Sequence, residues 1–383
     1  MSTKVRGVEG NKSRKKKLSK AAKRKRRLKR ILAFEIVLMF LLFVSGVLVK
    51  YVLDKWKLID TRDIDESALA ISTDINKEAS GFTNIVLFGV DAKEASVIDT
   101  SNSDCIIIVS INNKTKEIKM VSVYRDTILM CPDKENSKQD YDFKKSNYAY
   151  NAGGPQLAIA QLNKNLDLDI KDYAAVNWNA LAAAVDAVGG LDIEISEVEM
   201  NEMNLHIMGT AEAAGRPCNF MTEYGKVHMD GVQVTTYCRI RKNGTGNDYA
   251  RVERQRLVLG LLMQKAQKMD LSTLNDIIDE VFPMISTSVS FTETLGLAKD
   301  VTKYKIVESK SFPFQFTGIK SLGNLGDSLV PCGLSYNVSK LHEFLFGTID
   351  YKPSSKVEEL DAKLYKFTGV PAYVEPEEEE KDE

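Results

Sequence analysis

Four arginines stand close together in this chain with spacing that could serve chemistry. Arg239-Ile-Arg241-Lys242 is followed by Asn243-Gly-Thr-Gly-Asn-Asp248 and then by Ala250-Arg-Val-Glu-Arg-Gln255. Arg239 and Arg241 are two apart, so they share one side of an extended segment. Arg251, Arg254 and Gln255 fall at i, i+3 and i+4, so they share a helix face. The glycine-containing loop between them lets both groups fold toward one point. Guanidinium forks match phosphate oxygens bidentately, so the cluster suggests an anionic ligand, with phosphate the natural choice. The alternative is a solvated helix face in which Glu253 pairs with a neighbouring arginine.

Acids supply the second set. Asp91 closes one apolar run, Asp104 opens the next, and Arg125-Asp126 closes a third. Charged residues beside such runs are seldom deep in a core unless paired, and strand ends are where open α/β sheets bind ligands. Each could also be a surface cap or a structural ion pair. Asp91 and Asp104 together raise a hard-cation site, because Mg²⁺ is commonly held by one or two carboxylates plus substrate phosphates and water. Carboxylates, a cation and arginines suit a pyrophosphate, whose charge the arginines stabilise during transfer.

Other chemistries find no support. The three histidines, His206, His228 and His342, lie in no triad motif, and there is no GxSxG. Walker A and GxGxxG patterns are missing, as are CxxC and HExxH spacings. Cys105 and Cys238 sit in apolar runs and read as buried thiols. Cys131, Cys218 and Cys332 fall in loop-like stretches where a disulfide could form outside the cytoplasm, with no pairing legible.

The elements that must position these residues follow from patterning. Asn84–Asp91, Cys105–Ile111 and Glu117–Tyr124 read as strands, the first two buried on both faces. Pro155 to about Leu166 reads as a helix with proline in its first turn. Tyr173–Trp178 and Leu191–Ile195 read as strands, and Ala180–Val188 as a helix closed by Gly189-Gly190. Long helices are expected from Asp248 to about Met269 and over Leu271–Ile285. Ser290-x-x-Glu293 is a capping box for a helix through about Tyr304. This alternation predicts an α/β fold with a central, mostly buried β-sheet flanked by helices on both faces. The apolar stretch Leu257–Met263 could line a lipid pocket or be ordinary core.

The 383 residues carry a formal charge of −1, which hides two compartments. Residues 1–30 hold 15 Lys/Arg against Glu9 alone, and the rest of the chain sums to −15. Between them, Ile31–Val49 contains a single charge, Glu35. Its apolar side chains favour insertion by roughly 4 to 8 kcal/mol, against at most about 3 for Glu35 near the helix start. A cleaved signal peptide would have a shorter apolar core and a small-residue cleavage site, neither of which is seen. The expected organisation is a basic cytoplasmic tail at 1–30, a transmembrane helix at 31–50, a juxtamembrane linker at 51–82, an extracytoplasmic α/β domain at 83–350, and an acidic, disordered tail at 351–383. The basic tail is read as setting membrane topology rather than binding nucleic acid.

Eight stretches in order give the chain a resemblance. They are Asn84–Asp91, Ser103-Asp104, Ser122–Thr127, Lys145–Gly154, Val185–Asp192, Met229–Gln233, Tyr237–Lys242 and Asp248–Gln255. Over roughly residues 82–270 the chain resembles the LytR-CpsA-Psr family of bacterial cell-envelope proteins. The resemblance implies transfer of a glycopolymer, teichoic acid or capsule among the choices, from a polyprenyl-pyrophosphate carrier to a peptidoglycan acceptor. It implies an apolar pocket for the prenyl chain, with Mg²⁺, or Mn²⁺ in its place, and arginines at its mouth. By motif, Asp91 and Asp104 would hold the metal. Arg125, Arg239, Arg241, Arg251 and Arg254 would contact the phosphates, with Gln255 and Asp126 as polar supports and Asp248 activating the acceptor hydroxyl. The chain departs from the family pattern at Asn102, where an arginine is usual, at Ser146 in Lys145-Ser-Asn, and in lacking an arginine soon after Asp91. Those departures motivate an alternative, a non-catalytic module that binds envelope polymer or lipid, or signals.

Overall fold

The computed structural model describes Met39 and residues 50–71, 77–91 and 102–375. The whole basic tail at 1–30, and all of the expected transmembrane helix at 31–50 except Met39 and Lys50, therefore lie outside the described residues. Among the described residues no helix is long and apolar enough to cross a membrane. Residues 1–56 form one unit, of which 50–56 are helical, and residues 57–383 form a second.

Its strands run β1 (Asp60–Thr61), β2 (Phe82–Val90), β3 (Ser103–Asn112), β4 (Glu117–Val123), β5 (Ile128–Pro132), β6 (Asp140–Lys145), β7 (Asp172–Asn177), β8 (Leu191–Ile195), β9 (Gly225–Met229), β10 (Ile285–Thr287), β11 (Lys305–Phe312), β12 (Phe316–Ile319) and β13 (Ser328–Pro331). The helices are α1 (Tyr148–Leu166), α2 (Trp178–Ala187), α3 (Glu197–Ala214), α4 (Gly231–Tyr237), α5 (Asp248–Ala266), α6 (Leu271–Val281), α7 (Phe291–Lys299), α8 (Leu334–Phe346) and α9 (Ser355–Thr368).

Seven strands form one mixed sheet in the order β1-β10-β7-β2-β3-β4-β11. β2 and β3 pair antiparallel at its centre, and β7 runs parallel to β2 on the other side. Alternation along β2 assigns the two faces. Val86, Phe88 and Val90 join a core with Tyr150 and Ile159 of α1, Leu341 of α8 and Leu360 of α9. Ile107, Ile111 and Met120 face the other way, against Leu259 and Met263 of α5. Both faces are thus covered by helices, as the continuous apolar runs of β2 and β3 predict.

Local signals account for many boundaries. Ser290 accepts from the Glu293 amide while Glu293 returns a bond to the Ser290 amide, so the expected capping box starts α7. That helix ends at Lys299, and a short 3-10 turn over Val301–Lys303 replaces the continuation expected through Tyr304. α1 begins before Pro155 but is interrupted at Gly153 and Gly154, whose dihedrals are non-helical. Proline then opens the regular part, as its missing N–H permits.

Two expectations at the ends of the domain need correction. Residues 51–82 are more than a linker, since β1 pairs with β10 and Leu69 is fully buried. The tail expected as disordered from 351 contains α9, with Val357, Leu360 and Leu364 at one helical stripe buried against the main core. Ser354 caps the helix, and its own N–H and hydroxyl bond the buried Asp167 carboxylate at 2.7 and 2.6 Å. The acidic run Glu377–Glu380 obscured this apolar stripe because it dominates the composition of the segment.

Candidate active site

The turn Tyr124–Thr127 carries Arg125 and Asp126. It is closed by the Thr127 amide donating to the Tyr124 carbonyl at 2.9 Å. Neighbouring segments hold it from several directions. The Tyr124 amide donates to the Phe312 carbonyl, Ser146 donates to the Tyr124 carbonyl, and Leu329 N–H donates to the Asp126 carbonyl. Arg125 is therefore fixed where β4 ends.

The start of β3 lies beside it. A register shift between Gly89 and Val90 pairs Gly89 with Cys105 and Val90 with Ser103, which leaves Asp104 unpaired in the ladder. The Asp91 amide donates to the Asn102 carbonyl at 3.2 Å, so Asp91 and Asp104 emerge at the same end of the β2–β3 pair.

Asp248 opens α5, where a carboxylate is favoured by the helix dipole. Asn247 caps the helix by accepting from the Tyr249 amide. The preceding loop needs left-handed backbone at Asn243, Gly244 and Gly246. At Gly246 a Cβ would also lie 2.5 Å from that of Ala250, so a side chain there would push the loop off the helix.

These elements assemble an alternating network. Arg125 Nη1 donates to Asp104 Oδ1 at 2.9 Å, and its Nε lies 3.4 Å from Asp126 and 3.9 Å from Asp248. Arg251 places Nη2 3.5 Å from Asp248 Oδ1 and Nη1 4.0 Å from Asp104 Oδ2. Arg241 Nη1 reaches Asp248 Oδ1 at 3.4 Å. Lys145, a basic residue not assigned a role from the sequence, binds Asp126 at 2.8 Å. Burial lowers the pKa of Arg251, which Asp248 offsets only in part and the adjacent Arg125 and Arg241 reinforce. Burial acts the same way on Arg125, but Asp104 above all, then Asp248 and Asp126, reverse it and raise that pKa. The Nε atoms of both arginines are buried without a hydrogen-bond partner. An anion with several oxygens would satisfy such donors.

The remaining predicted residues separate from this network. Arg239 stacks over the Trp178 ring at 5.4 Å and donates to Thr210 Oγ1 at 3.3 Å. It shares with Arg241, Lys242 and His206 a cavity of about 320 Å³. Arg254 is not placed to contact a phosphate beside the others. It is buried, donates to Glu199 Oε1 at 3.0 Å, and also donates to the carbonyls of Ile240 and Thr245. Its work is to hold the 240–245 loop against α5. The partner Glu199 lies 55 residues away, in the capping box of α3, which no local pattern around Arg254 could disclose.

Gln255 leads into an apolar cavity of about 110 Å³ between the sheet and α2 and α5. Leu87, Leu181, Val258, Leu259 and Leu262 line it, so part of the Leu257–Met263 stretch does face a pocket. Gln255 Nε2 donates weakly to the Cys238 carbonyl at 3.4 Å, while its Oε1 is buried and unpartnered. The cavity and the network are contiguous through the chain: Cys105 follows Asp104, and Trp178 lies under Arg239. Cys105 and Cys238 both line the cavity as free thiols. Burial pushes Cys105 up to about 12 and raises Cys238 too, so both are inert neutral groups, as their apolar context predicts.

Among the described residues no group of three His, Cys, Asp or Glu side chains could by itself hold a metal ion. The donors present are the exposed Asp91 and Asp104, whose two oxygens face guanidiniums. Two carboxylates are the donor number that Mg²⁺ takes from a protein when substrate phosphate and water supply the rest, and Asp104 would have to turn from its arginines to serve.

Comparison with known proteins decides the family. The LytR_cpsA_psr family model matches residues 54–330. The chain belongs to this family. Among curated relatives, a protein of Enterococcus faecalis named polyisoprenyl-teichoic acid–peptidoglycan teichoic acid transferase TagU is 29% identical over 269 residues, 70% of this chain and 81% of that protein. Biofilm regulatory protein A of Streptococcus mutans is 31% identical over 215 residues, covering 55% of this chain and 51% of its own. Solved structures share the fold. TagT bound to LI-WTA superposes with a TM-score of 0.53 at 18% identity, over 81% of this chain and 100% of that one. A protein of Streptococcus agalactiae reaches 0.59 at 22% identity, over 73% and 93% respectively. The resemblance drawn from the eight motifs is thereby confirmed, as is the helix-flanked sheet it implied.

Proposed function

We propose that this LytR_cpsA_psr protein is a membrane-anchored phosphotransferase that moves a glycopolymer from a polyprenyl-pyrophosphate carrier onto peptidoglycan. One observation carries the reading: Arg125, Arg241 and Arg251 converge around Asp104 and Asp248, and Cys105, the residue after Asp104, together with Gln255, one turn beyond Arg251, lines an apolar cavity. A lipid pyrophosphate has that division, an apolar chain joined to a doubly charged head. The relatives named as teichoic acid transferases support the same substrate class.

In this reading the prenyl chain enters between α2 and α5, with Gln255 orienting the head at the pocket mouth. Arg125, Arg241 and Arg251 bind the phosphate oxygens, exchanging part of their contact with the carboxylates for contact with the ligand. Arg239 binds further out, on the Trp178 side. The acceptor hydroxyl of peptidoglycan attacks the sugar-proximal phosphorus. The bond from that phosphorus to the bridging oxygen breaks, and polyprenyl phosphate leaves with the electron pair. Asp248 receives the hydroxyl proton, with Asp126 held beside it by Lys145. Arginines positioned before reaction stabilise the growing charge without reorganising. Asp91 and Asp104 would hold Mg²⁺ or Mn²⁺, which would offset phosphate charge. The basic residues 1–30 keep the N-terminus cytoplasmic, and the domain works outside the membrane.

The reading is tested with full-length protein in detergent, a synthetic lipid-pyrophosphate-linked glycan and uncrosslinked peptidoglycan oligomers. Product carrying a new phosphodiester is the expected result. Tight donor binding with no transfer under Mg²⁺ or Mn²⁺ would favour the non-catalytic module. Asn102 is the sequence feature that motivates that second reading.

A further inference from the structure

A second cleft, with a different lining from the cavity around Arg239, touches the arginine–carboxylate network at Asp126 and Asp248. It measures about 270 Å³, near the lower end of the roughly 300–1,000 Å³ usual for ligand pockets. Asp126, Asp248, Asn247, Tyr249, Lys320 and Asp327 line it. The β12–β13 hairpin makes up the rest.

This hairpin is built onto the site. Leu329 N–H donates to the Asp126 carbonyl at 2.9 Å, and Thr127 bridges to Leu329. Phe316 of β12 packs on Tyr249 and Tyr124 at ring separations of 5.3 and 5.8 Å. The cleft wall and the Arg125 turn therefore form one rigid assembly.

Charge separates the two clefts. The cavity beyond Arg241 presents Arg239, Arg241 and Lys242 against one carboxylate, Glu202, and suits an anionic chain. The hairpin cleft presents three carboxylates and one lysine, which disfavours a polyanion. Carboxylates and an asparagine amide beside a tyrosine suit the hydroxyls and apolar face of a neutral sugar. Arg241 of the first cavity and Asp248 of the second are 3.4 Å apart, so ligands held in the two would meet at the network.

We propose that the hairpin cleft is the binding site for the acceptor sugar, with the acceptor hydroxyl directed past Asp126 and Asp248 toward the phosphate. The proposal rests on the transferase reading for the identity of the acceptor. It assigns a specificity role to β12, β13 and the segment between them.

Gly318 provides the test. It is exposed on β12 and lines the cleft, and a Cβ added there meets only Leu329 Cδ2 at 4.0 Å, so a side chain can start from this position without strain at Cβ. In full-length protein, Gly318→Tyr should raise the KM for peptidoglycan oligomers about tenfold or more and leave the donor KM within about twofold. Asp327→Asn should raise the acceptor KM by about tenfold or more, the scale of one lost hydrogen bond to a charged group. It also keeps the question answerable should the tyrosine variant fail to fold. Equilibrium binding of a soluble disaccharide–peptide peptidoglycan fragment gives a readout that needs no turnover. Weaker fragment binding by Gly318→Tyr, with no product from wild type, would sink the transferase reading and keep the cleft. Unchanged fragment affinity and acceptor KM in both variants, or a shift in donor KM instead, would overturn the assignment.

Discussion

Arg125 and Asp104, 21 residues apart in sequence, meet at 2.9 Å where the end of β4 faces the start of β3. The contact joins a turn locked by three other segments to the one residue that the β2–β3 ladder leaves unpaired. Arg251 approaches the same carboxylate from α5, so Asp104 sets the spacing between two guanidiniums.

Replacing Asp104 with Ala should accordingly cost both activity and stability. Two partly buried arginines would lose a shared counter-charge. Breaking a buried pair costs about 3–5 kcal/mol, and the partial exposure of this one reduces that to about 1–2. Urea denaturation should register that loss, and transfer should fall by at least about a hundredfold. Stability unchanged within error would show that the pair is not a fixed part of the fold.

Arg254 and Arg241 should behave differently although both belong to the motif. Arg254→Ala removes a buried guanidinium that holds Glu199 and two loop carbonyls, and should destabilise by about 2–4 kcal/mol. Arg241 is more exposed and has one carboxylate partner, so Arg241→Ala should stay within about 1 kcal/mol of wild type. Its effect should appear as weaker donor binding. Parallel melts and donor titrations of the two variants separate the roles, and equal stability losses would contradict them.

Val258→Phe should fill the apolar cavity, since Val258 is buried and lines it. Overpacking costs typically about 1–3 kcal/mol where space is short. Affinity for a long-chain lipid pyrophosphate should drop while a short-chain analogue binds nearly as before. Loss of both in equal measure would place the chain elsewhere.

The domain's C-terminal helix predicts a pH signature. Burial tends to raise the Asp140 pKa, but hydrogen bonds from Lys363, Lys356 and Lys164 outweigh it and hold it well below the usual carboxylate range. A depressed folded-state pKa contributes stability that is present above the unfolded value of about 3.9 and is lost as pH falls below it. Asp140→Asn should therefore lower Tm by a constant amount above about pH 5 and by progressively less toward pH 2. A difference independent of pH would exclude the lysine cluster as its source.

Much of the site could be read from residue order because its signals are local. The Arg239–Arg241 spacing, the Gly246 loop and Asp248 at a helix start each need only a few neighbouring residues. The bounds of β8 and the capping box of α7 were legible for the same reason. What the sequence concealed depends on distant partners. Arg254 shares a helix face with Arg251, yet Glu199 draws it into the fold rather than the site. The apolar stripe of α9 was masked by the acidic run beyond it, and the tie between the β12–β13 hairpin and Asp126 is a tertiary contact without local pattern.

The central claim is that the converging arginines bind a lipid pyrophosphate and promote its transfer. Its most direct measurement is single-turnover transfer from a synthetic lipid-pyrophosphate glycan to peptidoglycan oligomers by full-length wild type and by Arg125→Ala, with donor binding followed in parallel. The account predicts phosphodiester product from wild type and a rate about a hundred- to a thousandfold lower for the variant, the scale of losing one preorganised charge donor. Full turnover by Arg125→Ala would contradict it.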